Sequence, residues 1–220
     1  KTERHRCRPT ASWVTYGKAP PYLPLIDLLK SYFKIADRDD TRAIRAKVTG
    51  NLLTLDEALK ASIAPVLWLL DALPEEHEFL ALETVQRQAS TFEAIKRVLF
   101  RESRSQPLLL VFEDLHWIDA GTQALLDSVV ESLPTAPVLL AVNYRPEYQH
   151  AWGHKTYYRQ LRIDALGRES AEALLEPLLG DDPGLRSLRR LLIERTEGNP
   201  LFLEESVRSP GETQVLVREG

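Results

Sequence analysis

Residues 108–119, with the sequence LLLVFEDLHWID, decide the fold of this 220-residue chain. The first five residues form a continuous apolar run, which is typical of a parallel strand that is buried on both faces. Glu113 and Asp114 end that run abruptly with two adjacent carboxylates. Asp119 is placed to cap a following helix, and a second apolar run occupies residues 138–142. The order strand, helix, strand predicts a βαβ unit with parallel strands.

The chain on either side of this unit is expected to be mostly helical. An early strand is expected near residue 10, and apolar residues at helical spacing predict a helical insertion over about residues 22–103. A short strand is expected near residues 158–163, after which the pattern is helical again. We therefore predict an α/β core over residues 1–166, a helical lid over residues 167–209 and a tail over residues 210–220.

The composition is that of a globular chain without a basic excess. Hydrophobic residues make up 44% and charged residues 27%, which excludes a disordered or collagen-like chain. The formal net charge of −4 argues against direct binding of nucleic acid or of an anionic membrane. The single cysteine, Cys7, cannot form an intramolecular disulfide, so we expect a reducing compartment. The longest apolar run, around residues 66–70, is far below the roughly 20 residues that span a bilayer, and we expect a soluble cytoplasmic protein.

Polar residues follow both predicted core strands. Ligands of parallel sheets gather at the carboxyl ends of the strands, where Glu113 and Asp114 follow one strand and Asn143 and Arg145 follow the next. Paired carboxylates can hold a hydrated Mg²⁺ and orient a water, and a guanidinium can meet phosphate oxygens. Each feature alone is also explained by a solvated turn, a helix cap or a surface charge. Together they favour a nucleotide site.

Four segments, in order along the chain, resemble the STAND class of signal-transduction P-loop ATPases, which are relatives of AAA+ proteins. Residues 108–119 resemble their Walker B segment, and residues 143–148 (NYRPEY) resemble the end of their sensor-1 strand. Residues 198–205 (GNPLFLEE) are similar to their GxP-containing helical motif. Residues 16–29 resemble a segment in ATPase modules attached to bacterial class III adenylate cyclases and to large transcriptional regulators.

The resemblance implies roles for the residues at the strand ends. Glu113 would help to bind Mg²⁺, and Asp114 would polarise the attacking water, although the two acids could exchange these roles. Both are candidate metal ligands. Arg145 would sense the γ-phosphate of ATP, and Asn143 would belong to the cofactor-binding set.

The resemblance also implies that Gly198, Asn199 and Pro200 bind the nucleotide. Pro200 would lie near the adenine and couple the nucleotide state to the position of the helical lid. A structural alternative explains the same residues as a helix C-cap followed by a proline in the first turn of the next helix. Both interpretations can hold together.

The chain departs from the family at the phosphate loop. A P-loop has the pattern G-x-x-x-x-G-K-[ST], and the only Gly-Lys pair in this sequence, Gly17-Lys18, is followed by Ala19. We expect this chain to be an excerpt that begins after the first strand and the P-loop of a longer protein. The predicted fold is an α/β, parallel-sheet P-loop NTPase-like core that lacks these parts, with a small C-terminal helical domain. Without that first strand, the strand near Ile163 should lack its usual neighbour.

The function implied is that of an ATP-hydrolysing regulatory module in a larger signalling protein, with ATP and Mg²⁺ as cofactors. The expected partners are a nucleotide, an output domain in the same polypeptide (a cyclase or a DNA-binding domain) and a second copy of the chain. Direct contact with nucleic acid or a membrane is not expected. The isolated chain should have little ATPase activity, because most donors that would cradle the phosphates are missing. The alternative is a non-catalytic interaction scaffold built on a degenerate NTPase fold.

Overall fold

A computed structural model describes residues 8–10 and 21–212, with only the backbone at residues 8–10 and 209–212. The chain divides into two compact units, Lys1–Tyr158 and Arg159–Gly220. This division lies before the one expected near residue 166. Within the described residues, no helix has the length and apolar character needed to cross a bilayer.

A parallel three-stranded sheet carries the first unit. The strands are β1 (Arg8–Thr10), β2 (Leu108–Phe112) and β3 (Val138–Val142), in the order β1-β2-β3. In the register of the sheet, Leu108 lies opposite Arg8 on one side and Val138 on the other. The predicted early strand and both strands of the βαβ unit are therefore confirmed.

The middle strand is the most deeply buried strand whose side chains are described, as its apolar sequence requires. Leu108, Leu110 and Phe112 alternate along β2 and belong to the hydrophobic core. Helix α5 (Ala120–Ser132), which follows β2, has its buried face in the same core, so the crossover from β2 to β3 covers the sheet.

The prediction of a strand near residues 158–163 is wrong, because the structure shows no regular secondary structure there. Leu161 and Ile163 are 89% and 94% exposed. In the described part of the chain β3 is an outer strand of the sheet, and its Leu139 is 65% exposed. A parallel strand forms only where a neighbour offers it hydrogen bonds and an apolar face, and the described residues offer neither beyond β3.

Helices account for most of the described residues between β1 and β2, as predicted. They are α1 (Leu23–Tyr32), α2 (Thr41–Leu55), α3 (Ile63–Leu69) and α4 (Thr84–Ser105), with 3-10 helices over Glu57–Ser62 and Glu78–Ala81. Their apolar faces join the core of the first unit. The long helix α4 contacts both α3 and the first 3-10 helix.

The second unit is a small helical domain. Its helices are α6 (Arg168–Leu179), α7 (Arg186–Thr196) and α8 (Pro200–Glu212). Ala171, Leu175 and Leu203 are fully buried and form its core. Gly180 follows α6 with a φ of 79°, a conformation that glycine adopts without steric cost at the end of a helix.

Candidate functional site

The turn after β2 is held in place by the residue that ends β3. The Oδ1 atom of Asn143 accepts a hydrogen bond of 2.7 Å from the backbone N–H of Asp114. The backbone of Asn143 donates to the carbonyl of Phe112 at 3.1 Å and accepts from the N–H of Leu115 at 3.0 Å. Asn143 therefore makes three hydrogen bonds around the acidic pair, one of them through its side chain.

This clamp supports an unusual backbone conformation at the acidic pair. Asp114 has a φ of 54°, in the left-handed region where Asp and Asn are the best tolerated residues after glycine. Glu113 and Asp114 are both half-buried at the carboxyl end of β2. Because β2 and β3 are parallel neighbours, Asn143 and the loop that follows it lie at the same edge of the sheet.

A buried histidine adjoins the acidic pair, although the sequence did not place it among the candidate site residues. The His116 side chain is 9% exposed, and its Nδ1 lies 4.0 Å from Oδ1 of Asp114. Neither ring nitrogen has a hydrogen-bond partner among the residues that the structure describes. A buried polar group without a partner costs about 1–3 kcal/mol of stability, so the unpaired imidazole beside this carboxylate destabilises the fold. Its position inside an otherwise apolar and acidic motif was the available signal.

Asp119 ends the motif as the cap of α5, as predicted. Its Oδ1 accepts from the backbone N–H groups of Gly121 and Thr122, each at 3.0 Å. Its Oδ2 accepts from the Thr122 hydroxyl at 2.5 Å, and Thr122 is fully buried. These bonds fix the start of α5 relative to the acidic turn.

Arg145 is exposed on the loop after β3, between two anchored tyrosines. The Tyr144 and Tyr158 hydroxyls are 2.6 Å apart, and the Tyr148 hydroxyl donates to Oε1 of Gln123 on α5. Burial, with a nearby carboxylate as a smaller cause, raises the pKa of Tyr148 to about 12, so the phenol stays protonated and donates. The backbone on both sides of Arg145 is thus tied to the body of the first unit.

The same loop continues into a histidine and a tryptophan that pack on each other. The rings of His150 and Trp152 have centroids 4.8 Å apart, and Nε1 of Trp152 donates to Oδ1 of Asp127 at 2.8 Å. Nδ1 of His150 accepts from the backbone N–H of Trp152 at 3.1 Å. Burial lowers the pKa of His150, which keeps the imidazole neutral and able to accept that bond.

The remaining predicted site residues belong to the second unit. Gly198 has a φ of 75°, and its carbonyl accepts from the N–H of Leu166 at 2.9 Å. A Cβ at position 198 would lie 2.3 Å from the Leu166 carbonyl oxygen. Asn199 Oδ1 accepts from the N–H of Leu201 at 3.0 Å, and Pro200 begins α8. The capping interpretation of these residues is therefore confirmed, and their contact with a nucleotide stays a prediction.

The donor set at the strand ends suits Mg²⁺. Among the described residues, no group of three or more His, Cys, Asp and Glu could hold a metal by itself. Mg²⁺ is ordinarily bound by one or two carboxylates together with phosphate oxygens and water. Glu113 and Asp114 match that requirement.

Most of the chain matches a known protein family. Residues 2–141 match the family described as AAA ATPase domain. The chain belongs to the AAA ATPase domain family. AAA ATPase domains are nucleotide-binding modules that generally use ATP and Mg²⁺, and the α/β core with parallel strands agrees with that family.

A curated relative of this AAA ATPase domain is an uncharacterized protein of Rhizobium meliloti (strain 1021). The two are 28% identical over 116 residues, which is 51% of this chain and 11% of the relative. The chain therefore spans a small part of the length of the curated relative that it matches. No solved structure matches the chain.

Proposed function

We propose that this AAA ATPase domain is the nucleotide-binding and ATP-hydrolysing regulatory module of a larger signalling protein of the STAND class. The observation that carries the proposal is the clamp by which Asn143 holds the turn of Glu113 and Asp114. Such a clamp preorganises charge at a strand end, which is what phosphoryl transfer requires of a protein. An output domain in the same polypeptide, either a cyclase or a DNA-binding domain, is the proposed partner, together with self-association.

Each residue of the site has a proposed task. Glu113 holds Mg²⁺, which when bound neutralises charge on the phosphate oxygens. Asp114 orients and polarises the attacking water, and Asn143 positions Asp114 through its backbone N–H. Arg145 contacts the γ-phosphate from the anchored loop, since a guanidinium presents several donors to phosphate oxygens. The proposed contact of Gly198, Asn199 and Pro200 with the nucleotide rests on the resemblance alone.

The phosphate-cradling loop is the part of the site that this sequence does not contain. We propose that the parent polypeptide supplies it, on a strand that pairs with β3. In the described residues β3 is an outer strand of the sheet, and Leu139 on it is 65% exposed. A further strand and its helix would cover that side chain.

Replacement of Glu113 by glutamine in the full-length protein tests the proposal. Glu113→Gln keeps the shape of the side chain but removes the charge. ATP binding should be retained, and turnover should fall by at least about 100-fold, as is usual when a charged catalytic group is removed. Glu75→Gln is the matched control, because Glu75 is exposed and lies outside the strand-end site. Unchanged turnover in Glu113→Gln would overturn the assignment.

A second candidate function is a non-catalytic interaction scaffold. The absence of G-x-x-x-x-G-K-[ST] from the sequence favours it, since degenerate NTPase folds can serve as binding platforms. Calorimetry of the parent protein with Mg-ATP separates the two, because a scaffold shows no binding and no turnover.

A further inference from the structure

A long groove runs along α4, outside the candidate nucleotide site. Two depressions of about 420 Å³ and 870 Å³ lie between α4 and the segment that contains the 3-10 helix Glu57–Ser62. Glu93 and Arg97 line both depressions, so the two form one continuous surface. We call this surface the α4 groove.

The floor of the α4 groove is largely apolar. Leu59 and Phe100 line the smaller depression, and Pro65, Phe79 and Leu82 line the larger one. A concave apolar surface of this volume is typical of sites that receive apolar side chains. The floor therefore fits the hydrophobic face of a bound segment.

The rim of the α4 groove is basic, although the chain as a whole carries a formal net charge of −4. Five cationic side chains and three carboxylates line the groove. They are Lys60, Lys96, Arg97, Arg101 and Arg104, and Asp56, Glu78 and Glu93. This positive excess favours a partner that brings acidic side chains.

Two of the five cations are already paired. Nε of Arg101 lies 2.6 Å from Oδ2 of Asp56, and Nζ of Lys96 lies 3.2 Å from Oε1 of Glu93. The Arg101 hydrogen bond also lowers the pKa of Asp56, so that pair stays ionised around neutral pH. These two ion pairs leave three of the five cations available to bind a partner.

Lys60, Arg97 and Arg104 are the cations that remain. All three are exposed, and none forms an ion pair with another residue in the described part of the chain. Arg97 and Arg104 are seven residues apart on α4, which places them about 10 Å apart on one face of the helix. A helix with acidic residues at the same spacing can meet both.

From these observations we propose that the α4 groove binds an acidic amphipathic helix from a partner protein. The groove extends from Ala89 to Arg104 along α4, which corresponds to about 22 Å or a helix of about 15 residues. The apolar face of that helix fills the floor, and its acidic flank meets Lys60, Arg97 and Arg104. A nucleic acid fits less well, because its phosphate backbone would meet the cations but offers no apolar face to the floor of the groove.

A display library of random 15-residue peptides, selected against the chain, tests this proposal. The recovered peptides should be acidic, with apolar residues at helical spacing. The strongest peptide is then synthesised and titrated against the chain and its variants. The double variant Arg97→Glu with Arg104→Glu should weaken its binding at least about tenfold, since two attractions become repulsions.

Two further variants separate the groove from general charge effects. Arg42→Glu makes the same change at an exposed position of α2 and should leave the affinity within about twofold, because distant exposed charges are screened by salt. Ala89→Trp should block the larger depression and abolish binding while every charge is kept. Recovery of no peptide, equal loss in Arg42→Glu, or tighter binding of a single-stranded oligonucleotide than of the peptide would each overturn the proposal.

Discussion

Asp119→Ala should destabilise the first unit well beyond the cost of an ordinary helix cap. Removal of an N-cap aspartate costs about 1 kcal/mol. At this position the change also takes the acceptor away from the Thr122 hydroxyl, which is fully buried and lies 2.5 Å from Asp119 Oδ2. An unpaired buried hydroxyl costs about 1–3 kcal/mol more. We therefore expect a total loss of about 2–4 kcal/mol.

Urea unfolding followed by tryptophan fluorescence measures this loss in the first unit, because all four tryptophans precede Tyr158 in the sequence. The slope of the transition should stay unchanged, and the midpoint should fall. In a thermal scan the melting temperature should fall by about 5–15 °C, given about 2–4 °C per kcal/mol for a unit of this size.

Asp40→Ala is the matched control. Asp40 caps α2 by accepting from the N–H of Ala43 at 2.7 Å, in an exposed setting, so its loss should cost about 1 kcal/mol. The double variant Asp119→Ala with Thr122→Val should recover about 1–3 kcal/mol, because it removes the orphaned hydroxyl. The reasoning is refuted when Asp119→Ala costs no more than Asp40→Ala, or when the double variant recovers nothing.

Two further outcomes follow from the geometry. Gly198→Ala should unfold or strongly destabilise the second unit, because a Cβ at this position, where φ is 75°, would lie 2.3 Å from the Leu166 carbonyl oxygen. Loss of helical circular dichroism in a fragment of residues 159–220 checks this prediction, and a stable variant contradicts it. Burial lowers the pKa of His150 below its usual 6.5, although the charge of Asp127 opposes this, so the folded state prefers the neutral imidazole. The stabilising contribution of the neutral ring is therefore complete above pH 6.5 and is lost as the pH falls through the lower pKa of the folded state. The urea midpoint should therefore drop more steeply below pH 6.5 in the native chain than in His150→Gln, and parallel profiles would disprove the assignment.

The strand ends show how far the sequence could predict the site. The position of Glu113 and Asp114 after a buried strand was readable, since a continuous apolar run that ends in two carboxylates is a local pattern. The sequence does not determine how deeply His116 is buried, because the exposed fraction of a side chain depends on what packs over it. The strand near Ile163 was mispredicted for the same reason: its apolar residues suit a strand, but a strand also needs a neighbour.

The α4 groove was equally invisible in the sequence. Exposed cations on an amphipathic helix such as α4 are ordinarily just its solvated face, so their spacing alone indicates no groove. Only the packing of the 3-10 helix Glu57–Ser62 beside α4 turns that face into a concave surface.

By itself, the sequence of this AAA ATPase domain determined the local elements: the strand of residues 108–112, the cap at Asp119 and the helix that begins at Pro200. These depend on apolar runs and on side chains that bond to nearby backbone, so neighbouring residues settle them. Tertiary structure alone decided that Asn143 meets Asp114, 29 residues away, and that Tyr148 meets Gln123, 25 residues away. The physical reason is that such contacts depend on the register of β2 against β3 and on the packing of α5, which no local stretch of chain specifies.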